Sequence, residues 1–160
     1  MTKERLRKTQ AIRALNKHKI EFSIHPYKYE EKGGTKVAAK ELNADEHLVI
    51  KTLVMEDGKG NPFLILMHGD KKVSTKALAR ALGVKTVRPC DPKVAHKHTG
   101  YLVGGTSPFG TKKPLKICIE KSIVNLKKIY INAGKRGLLA EISPRDLVKL
   151  LKPTPVNVAL

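Results

Sequence analysis

Apolar residues recur along the chain in two periods. Ala11, Ile12, Ala14 and Leu15 carry helical spacing, which predicts a basic helix over residues 3–17. The run 47–55, from His47 through Leu48-Val49-Ile50-Lys51-Thr52-Leu53-Val54 to Met55, is rich in β-branched residues and reads as a strand. Phe63 to Met67 forms a second strand. The turn residues Asp57-Gly58 and Gly60-Asn61 lie between the two, so a hairpin is expected over 48–67. Further strands are expected at Glu21–Tyr29, with Phe22 and Ile24 on one side, and near 84–87, 115–119, 128–132 and 137–142.

Helix starts are marked by small polar residues. Thr35 can cap a helix through Leu42. Ser74 suits an N-cap, with Val73 and Leu78 placed as a staple and Gly83 as the stop. Asp91-Pro92 opens a helix that ends at Gly100, and Ser143-Pro144-Arg145-Asp146 opens another, with Leu147, Leu150 and Leu151 on its apolar face. Pro153 and Pro155 end that helix, and residues 152–160 read as a loose tail. Strands and helices do not alternate regularly. The expected class is therefore α+β, with a mixed or antiparallel sheet flanked by short helices. A chain of 160 residues with 41% hydrophobic positions predicts one domain over 1–160, its core over about 10–151.

Charge narrows the partners. Lys plus Arg number 32 and Asp plus Glu 14, a net +18 spread along the chain. That excess favours nucleic acid over an anionic membrane surface. No apolar run reaches the roughly 18 residues that span a bilayer, and no hydrophobic signal segment follows the basic start, so a cytoplasmic location is expected. Cys90 and Cys118 lie far apart with no CxxC partner, which argues against structural zinc and a disulfide framework. Cys118 falls on an alternating strand pattern and reads as a core residue. The six histidines show no metal-ligand spacing and read as surface or helix-cap residues.

Three segments carry candidate chemistry. Lys51 sits inside an apolar strand: it is either the solvent-facing position or a point charge lining a cleft, with Thr52 on the opposite face. The stretch Gly100-Tyr101-Leu102-Val103-Gly104-Gly105-Thr106-Ser107-Pro108-Phe109-Gly110 is no P-loop. It is either a structural crossover or a loop whose Gly104, Gly105 and Thr106 amides bind an anion or oxyanion. Gly134-Lys135-Arg136-Gly137 is a hairpin tip or a phosphate contact. No nucleophile elbow and no Cys–His pair is present, so a hydrolase built on this chain would work without a side-chain nucleophile.

Together these segments resemble the YbaK/EbsC family of aminoacyl-tRNA deacylases and the editing domain of bacterial-type prolyl-tRNA synthetases. Ile24-His25-Pro26-Tyr27, Ile50-Lys51-Thr52-Leu53, Asp91-Pro92, Gly100–Gly105, Ser107-Pro108 and Gly134–Leu138 carry the resemblance, from about residue 10 to residue 151. It implies a compact β-barrel-like sheet with flanking helices, and trans hydrolysis of the ester joining a wrong amino acid to tRNA. Lys51 falls on the family's central lysine. Tyr27, Thr52, Gly104, Gly105, Thr106, Ser107, Asn132, Gly134, Lys135 and Arg136 fall on substrate-site segments, while Gly34 and Leu139 fall where the amino acid is chosen. No metal or organic cofactor is implied.

The resemblance leaves the attacking group open between water, a tRNA hydroxyl and the substrate's own side chain. Leu139 stands where the YbaK subgroup has an acidic residue, Asn132-Ala133 replaces a Ser-Gly-like pair, and Gly33-Gly34 stands near a bulkier pocket position. Cys-tRNA(Pro) is the first substrate implied, with alanine, serine or another small amino acid open beside it. The tRNA body is expected on the basic helix (Lys3, Arg5, Arg7, Lys8, Arg13, Lys17) and on the lysines at 112, 113, 116, 127 and 128. The rival reading is a non-catalytic tRNA- or RNA-binding module associated with a synthetase. A prolyl-tRNA synthetase partner and the oligomeric state stay open.

Overall fold

The computed structural model describes residues 9–160. In chain order they form α1 (Gln10–Lys17), β1 (Phe22–Pro26), α2 (Gly34–Leu42), β2 (Val49–Asp57), β3 (Pro62–His68), α3 (Thr75–Leu82) and β4 (Val87–Pro89). There follow α4 (Pro92–Thr99), β5 (Lys116–Glu120), β6 (Ile129–Lys135), β7 (Leu138–Ile142), α5 (Pro144–Leu151) and β8 (Thr154–Val156). Short 3-10 turns occupy Glu46–Leu48 and Lys121–Asn125. The strands share one mixed sheet ordered β1-β7-β6-β2-β3-β5-β8, with β4 added on β2. The expected α+β class, the mixed sheet and the β2–β3 hairpin are all present.

The predicted caps form where side-chain oxygens meet free amides. Ser74, Asp91 and Ser143 accept from the backbone N–H of Ala77, Lys93 and Arg145, and Gly83 and Gly100 end their helices in the left-handed region. Each such cap stabilises its helix by about 1 kcal/mol. Three local expectations change. The helix expected over 3–17 begins at Gln10 in the described residues, because Thr9 is extended and caps Ile12; Lys3, Arg5, Arg7 and Lys8 lie outside the described residues. Gly33, not Thr35, is the N-cap of α2, and the Thr35 hydroxyl is turned to Glu46 and Gly69 instead. The strand expected at 84–87 starts only at Val87, since Val84 still donates to Ala79 at the end of α3.

The loose tail expected at 152–160 is a part of the sheet. Lys152 takes a left-handed conformation that reverses the chain, and β8 then runs parallel to β5. Val156 and Val158 are buried beside Met67 and Cys118. The buried Glu120 carboxylate accepts from the Val158 and Ala159 amides at 2.7 and 3.3 Å. The prolines end α5 as expected, but an edge strand tolerates proline, so Pro155 does not exclude pairing.

Two apolar layers sandwich the sheet. Ile50 and Leu66 face a cluster with Tyr101, Phe109, Ile119 and Ile131. Met55, Ile65 and Met67 face Leu78, Val87 and Cys118 on the other side, so Cys118 is the core residue its strand pattern indicated. A third cluster joins Ala38 and Ala39 of α2 to Val49, Tyr130 and Leu139. Burial of each large side chain stabilises by about 1.5–3 kcal/mol.

The sheet has a split that positions the site. β2 pairs with β6 in parallel only at Val49–Tyr130 and Ile50–Ile131. It pairs with β4 only from Met55 to Asp57. Between these stretches β6 leaves β2, with a register shift between Asn132 and Lys135.

Candidate functional site

A cavity of about 720 Å³ opens at this split. Its wall combines residues 49–55 of β2 with Tyr27, Gly34, Thr35 and Ala38 on one side and Val103, Gly104 and Thr106 on another. Pro89, Cys90, Asn132, Arg136 and Leu139 complete most of the lining. Lys51 and Thr52 point to opposite faces of β2, as strand geometry requires, yet both line the cavity, which therefore wraps around the strand's free edge.

Lys51 is half-buried, and its ammonium lies 3.5 Å from the Gly69 carbonyl oxygen. Among the described residues it makes no ion pair. Burial lowers its pKa below the ordinary lysine value, while the carboxylates of Glu46 and Asp70 pull it back up. Around it, Thr35 donates to Glu46 at 2.8 Å and contacts the Gly69 carbonyl at 3.1 Å. Gly69 has no room for a side chain: a Cβ would stand 2.6 Å from the Thr35 hydroxyl and 2.7 Å from the Val49 carbonyl oxygen. The sequence reading missed Thr35, Glu46 and Gly69 as neighbours of Lys51. Their signal is tertiary, since they come from three separate segments.

The glycine loop is held rigidly. The buried Tyr101 hydroxyl donates to Phe109 O at 2.6 Å, and burial pushes its pKa up to about 12. Gly105 N–H donates to Leu102 O at 2.8 Å, so that amide is spent inside the loop and is no oxyanion donor. Gly105 itself packs on the next turn, where a Cβ would stand 2.8 Å from the Arg136 nitrogen. Ser107 is fully buried and accepts from Phe109 N–H. Of the loop residues expected at the substrate, only Gly104 and Thr106 reach the cavity wall; Gly105 and Ser107 stand behind it.

Asn132 ties loop to turn. Its Oδ1 accepts from the Gly134 and Lys135 amides at 2.7 and 3.1 Å, and its Nδ2 donates to Gly104 O and Lys135 O at 3.2 and 3.1 Å. Gly134 turns its missing side chain toward Tyr101 and Ala11, so neither it nor Lys135 lines the cavity. Arg136 does: its Nε donates to Val103 O at 2.9 Å, and its guanidinium lies 5.3 Å from the centre of the Tyr29 ring. Tyr29 is a cavity residue that sequence reasoning missed. Tyr27 donates its amide to Gly137 O, and burial raises its phenol pKa. Tyr27, Ala38 and Leu139 share one apolar cluster, and Gly34 joins them in the wall.

Two further groups limit the chemistry. Cys90 lines the cavity, but burial and the nearby Glu56 push its thiol up to about 11, so it stays protonated at neutral pH and is no thiolate nucleophile. The surface assignment of the histidines fails at His68, which is 1% exposed. Its two ring nitrogens meet His47 O at 2.8 Å and the Ser122 hydroxyl at 2.6 Å. His47 stacks on it at 3.7 Å and meets Asp70 at 2.9 Å. His47, His68 and Asp70 thus stand close enough to be considered as ligands, but an ion there would have to displace hydrogen bonds already made.

Comparison with known proteins gives the chain its class. The model of the aminoacyl-tRNA editing domain matches residues 30–150. The chain is 30% identical to the proposed Cys-tRNA(Pro)/Cys-tRNA(Cys) deacylase EbsC of Enterococcus faecalis, over 92% of this chain and 91% of that protein. The chain therefore belongs to the aminoacyl-tRNA editing domain family. A proline–tRNA ligase of Brachyspira hyodysenteriae is 26% identical over 60% of this chain and 17% of its own length. The crystal structure of a proposed trans-editing enzyme for prolyl-tRNA synthetase shares the fold, with TM-score 0.84 and 20% identity over 100% of this chain and 99% of that one. Among the described residues no helix is long and apolar enough to cross a membrane.

Proposed function

We propose that this chain is a trans-acting deacylase that clears Cys-tRNA(Pro), or a tRNA carrying another small amino acid. The observation that carries the reading is Lys51: a half-buried ammonium without an ion pair among the described residues, set in the cavity of an editing-domain fold. A cation kept short of solvent and partner is suited to hold a phosphate of the tRNA 3′ end or to polarise the ester carbonyl. The reaction needs little more. Water adds to the ester carbonyl carbon, the carbon–oxygen bond to the ribose breaks, the ribose oxygen takes a proton, and the amino acid leaves as its carboxylate. Tyr27, Ala38 and Leu139 form the apolar corner that receives a small side chain. One methylene there discriminates by only about 1–3 kcal/mol, so the shape of this corner sets a preference rather than an absolute choice.

The test is release of amino acid from Cys-, Ala-, Ser- and Pro-tRNA(Pro) by the purified chain and by Lys51→Met. Rapid release from one mischarged tRNA, slowed at least tenfold by Lys51→Met, is expected. Binding of these tRNAs with no release would instead identify a tRNA-binding module. Such binding should weaken steeply with salt, because exposed lysines such as Lys112, Lys113, Lys127 and Lys128 would contact phosphates.

A further inference from the structure

We propose that the free edge of β2 at Thr52 pairs with the aminoacyl group of the substrate as though it were one more strand residue. In this arrangement the Thr52 carbonyl accepts from the α-ammonium, and the Thr52 N–H donates to the ester carbonyl oxygen. The inference rests on the deacylase reading above and names the backbone groups that recognise what every aminoacyl ester shares.

The direction of the β2 backbone follows from two bonds. Val49 O accepts from Gly69 N–H at 2.8 Å, so Val49 faces β3. Val54 O accepts from Cys90 N–H at 3.0 Å, so Val54 faces the opposite edge, toward β4. Both groups of one strand residue point the same way and successive residues alternate. Lys51 and Leu53 therefore pair with β3, and Thr52 points its N–H and C=O into the split. The sheet register pairs Thr52 with neither neighbour there. The parallel pairing with β6 ends at Ile50–Ile131, and Gly134 N–H, further along β6, is held by the Asn132 side chain. On the other side, continuing the β2–β4 register sets Pro92 opposite Thr52, and proline has no N–H to give.

A second observation marks the same residue. The Thr52 hydroxyl is buried and has no hydrogen-bond partner among the described residues. Backbone and hydroxyl groups left without a partner at a half-buried strand position are costly unless a ligand or water completes them. Thr52, Pro92 and Asn132 all line the cavity. An aminoacyl ester carries an amine and a carbonyl in the arrangement of a strand residue, so it can exchange two hydrogen bonds with Thr52 as closely paired antiparallel residues do. The donor that meets the carbonyl in the ground state then stands where negative charge develops during hydrolysis. With Gly105 N–H spent inside its loop, this places an oxyanion donor on the strand that bears Lys51.

The experiment uses the full chain labelled with ¹⁵N and two amide-linked analogues, 3′-alanylamino-3′-deoxyadenosine and its propionyl counterpart, which lacks only the amine. On saturation with the alanyl analogue the Thr52 amide should shift and its hydrogen exchange should slow at least tenfold. The propionyl analogue should bind about 10- to 100-fold more weakly, the loss of a hydrogen bond to a charged group. Equal affinity for the two analogues, or saturation without any change at the Thr52 amide, overturns the proposal and leaves deacylation by Lys51 standing. If neither analogue binds and no mischarged tRNA is hydrolysed, the deacylase reading falls and the Thr52 site falls with it. A chain carrying the α-hydroxy acid of threonine at position 52, which lacks this N–H, should bind the alanyl analogue yet lose at least tenfold in kcat. Unchanged kcat in that chain also overturns the oxyanion role.

Discussion

Replacing Asn132 by alanine separates a scaffold role from a substrate role. Asn132 is 9% exposed, and its side chain makes four hydrogen bonds between 2.7 and 3.2 Å. A net contribution of roughly 0.5–1.5 kcal/mol per bond gives a ceiling near 6 kcal/mol. The carbonyls of Gly104 and Lys135 keep a second lone pair, and the exposed Lys135 turn readmits water, so about 2–4 kcal/mol is the expected loss. Urea unfolding followed by circular dichroism reads this directly, as a lower midpoint at unchanged slope. Asn132→Asp keeps the two acceptor bonds but sets a carboxylate oxygen against two carbonyls, and it should lose a comparable amount. The reasoning is refuted if Asn132→Ala changes stability by less than about 0.5 kcal/mol while raising KM for mischarged tRNA, which is the outcome of a direct substrate contact.

Four other outcomes follow from the same geometry. Deleting residues 154–160, or replacing Glu120 by alanine, should destabilise the chain in thermal unfolding, the point substitution by about 1–3 kcal/mol from the orphaned Val158 and Ala159 amides. Gly69→Ala must push the Thr35 hydroxyl or the Val49 carbonyl away, costing about 1–3 kcal/mol in urea unfolding and lowering deacylation through the displaced Lys51 contact. Burial holds the His68 imidazole below the ordinary histidine value, so the unfolded chain takes up a proton near pH 6.5 that the native chain refuses. Stability should therefore fall as pH drops through that region, and His68→Gln should flatten the slope of unfolding free energy against pH. Leu139→Ala enlarges the apolar corner beside Tyr27 and Ala38, so competition assays should show release shifting toward larger amino acids.

Much of the fold is legible along the chain because its signals are local. A serine or aspartate oxygen caps the amide two or three residues on, and the β2–β3 hairpin follows from β-branched runs around turn residues. Lys51 could be picked out as a charge inside such a run. The failures are equally physical. Thr35 had the composition of a cap, but a carboxylate eleven residues on and the Gly69 carbonyl compete for its hydroxyl. The chain end was read as loose because two prolines disfavour regular pairing, while the partner that anchors it, Glu120, lies on another strand. His68 carries no local mark of burial; its place on the hairpin under His47 supplies one.

Sequence alone determined the class, the hairpin that bears Lys51, and the family whose motifs run through the chain. Those properties rest on period, capping chemistry and residue identity, all read within a few positions. Only the tertiary structure decided which motif residues line the cavity. Two neighbouring glycines, Gly104 and Gly105, look alike in sequence, yet one lines the cavity and the other is pressed against the next turn. The split between β6 and β4 belongs to no single segment either. It arises because β6 leaves β2 after Ile131 while β4 joins β2 only at Met55, and that divergence turns an ordinary strand into the floor of a cavity.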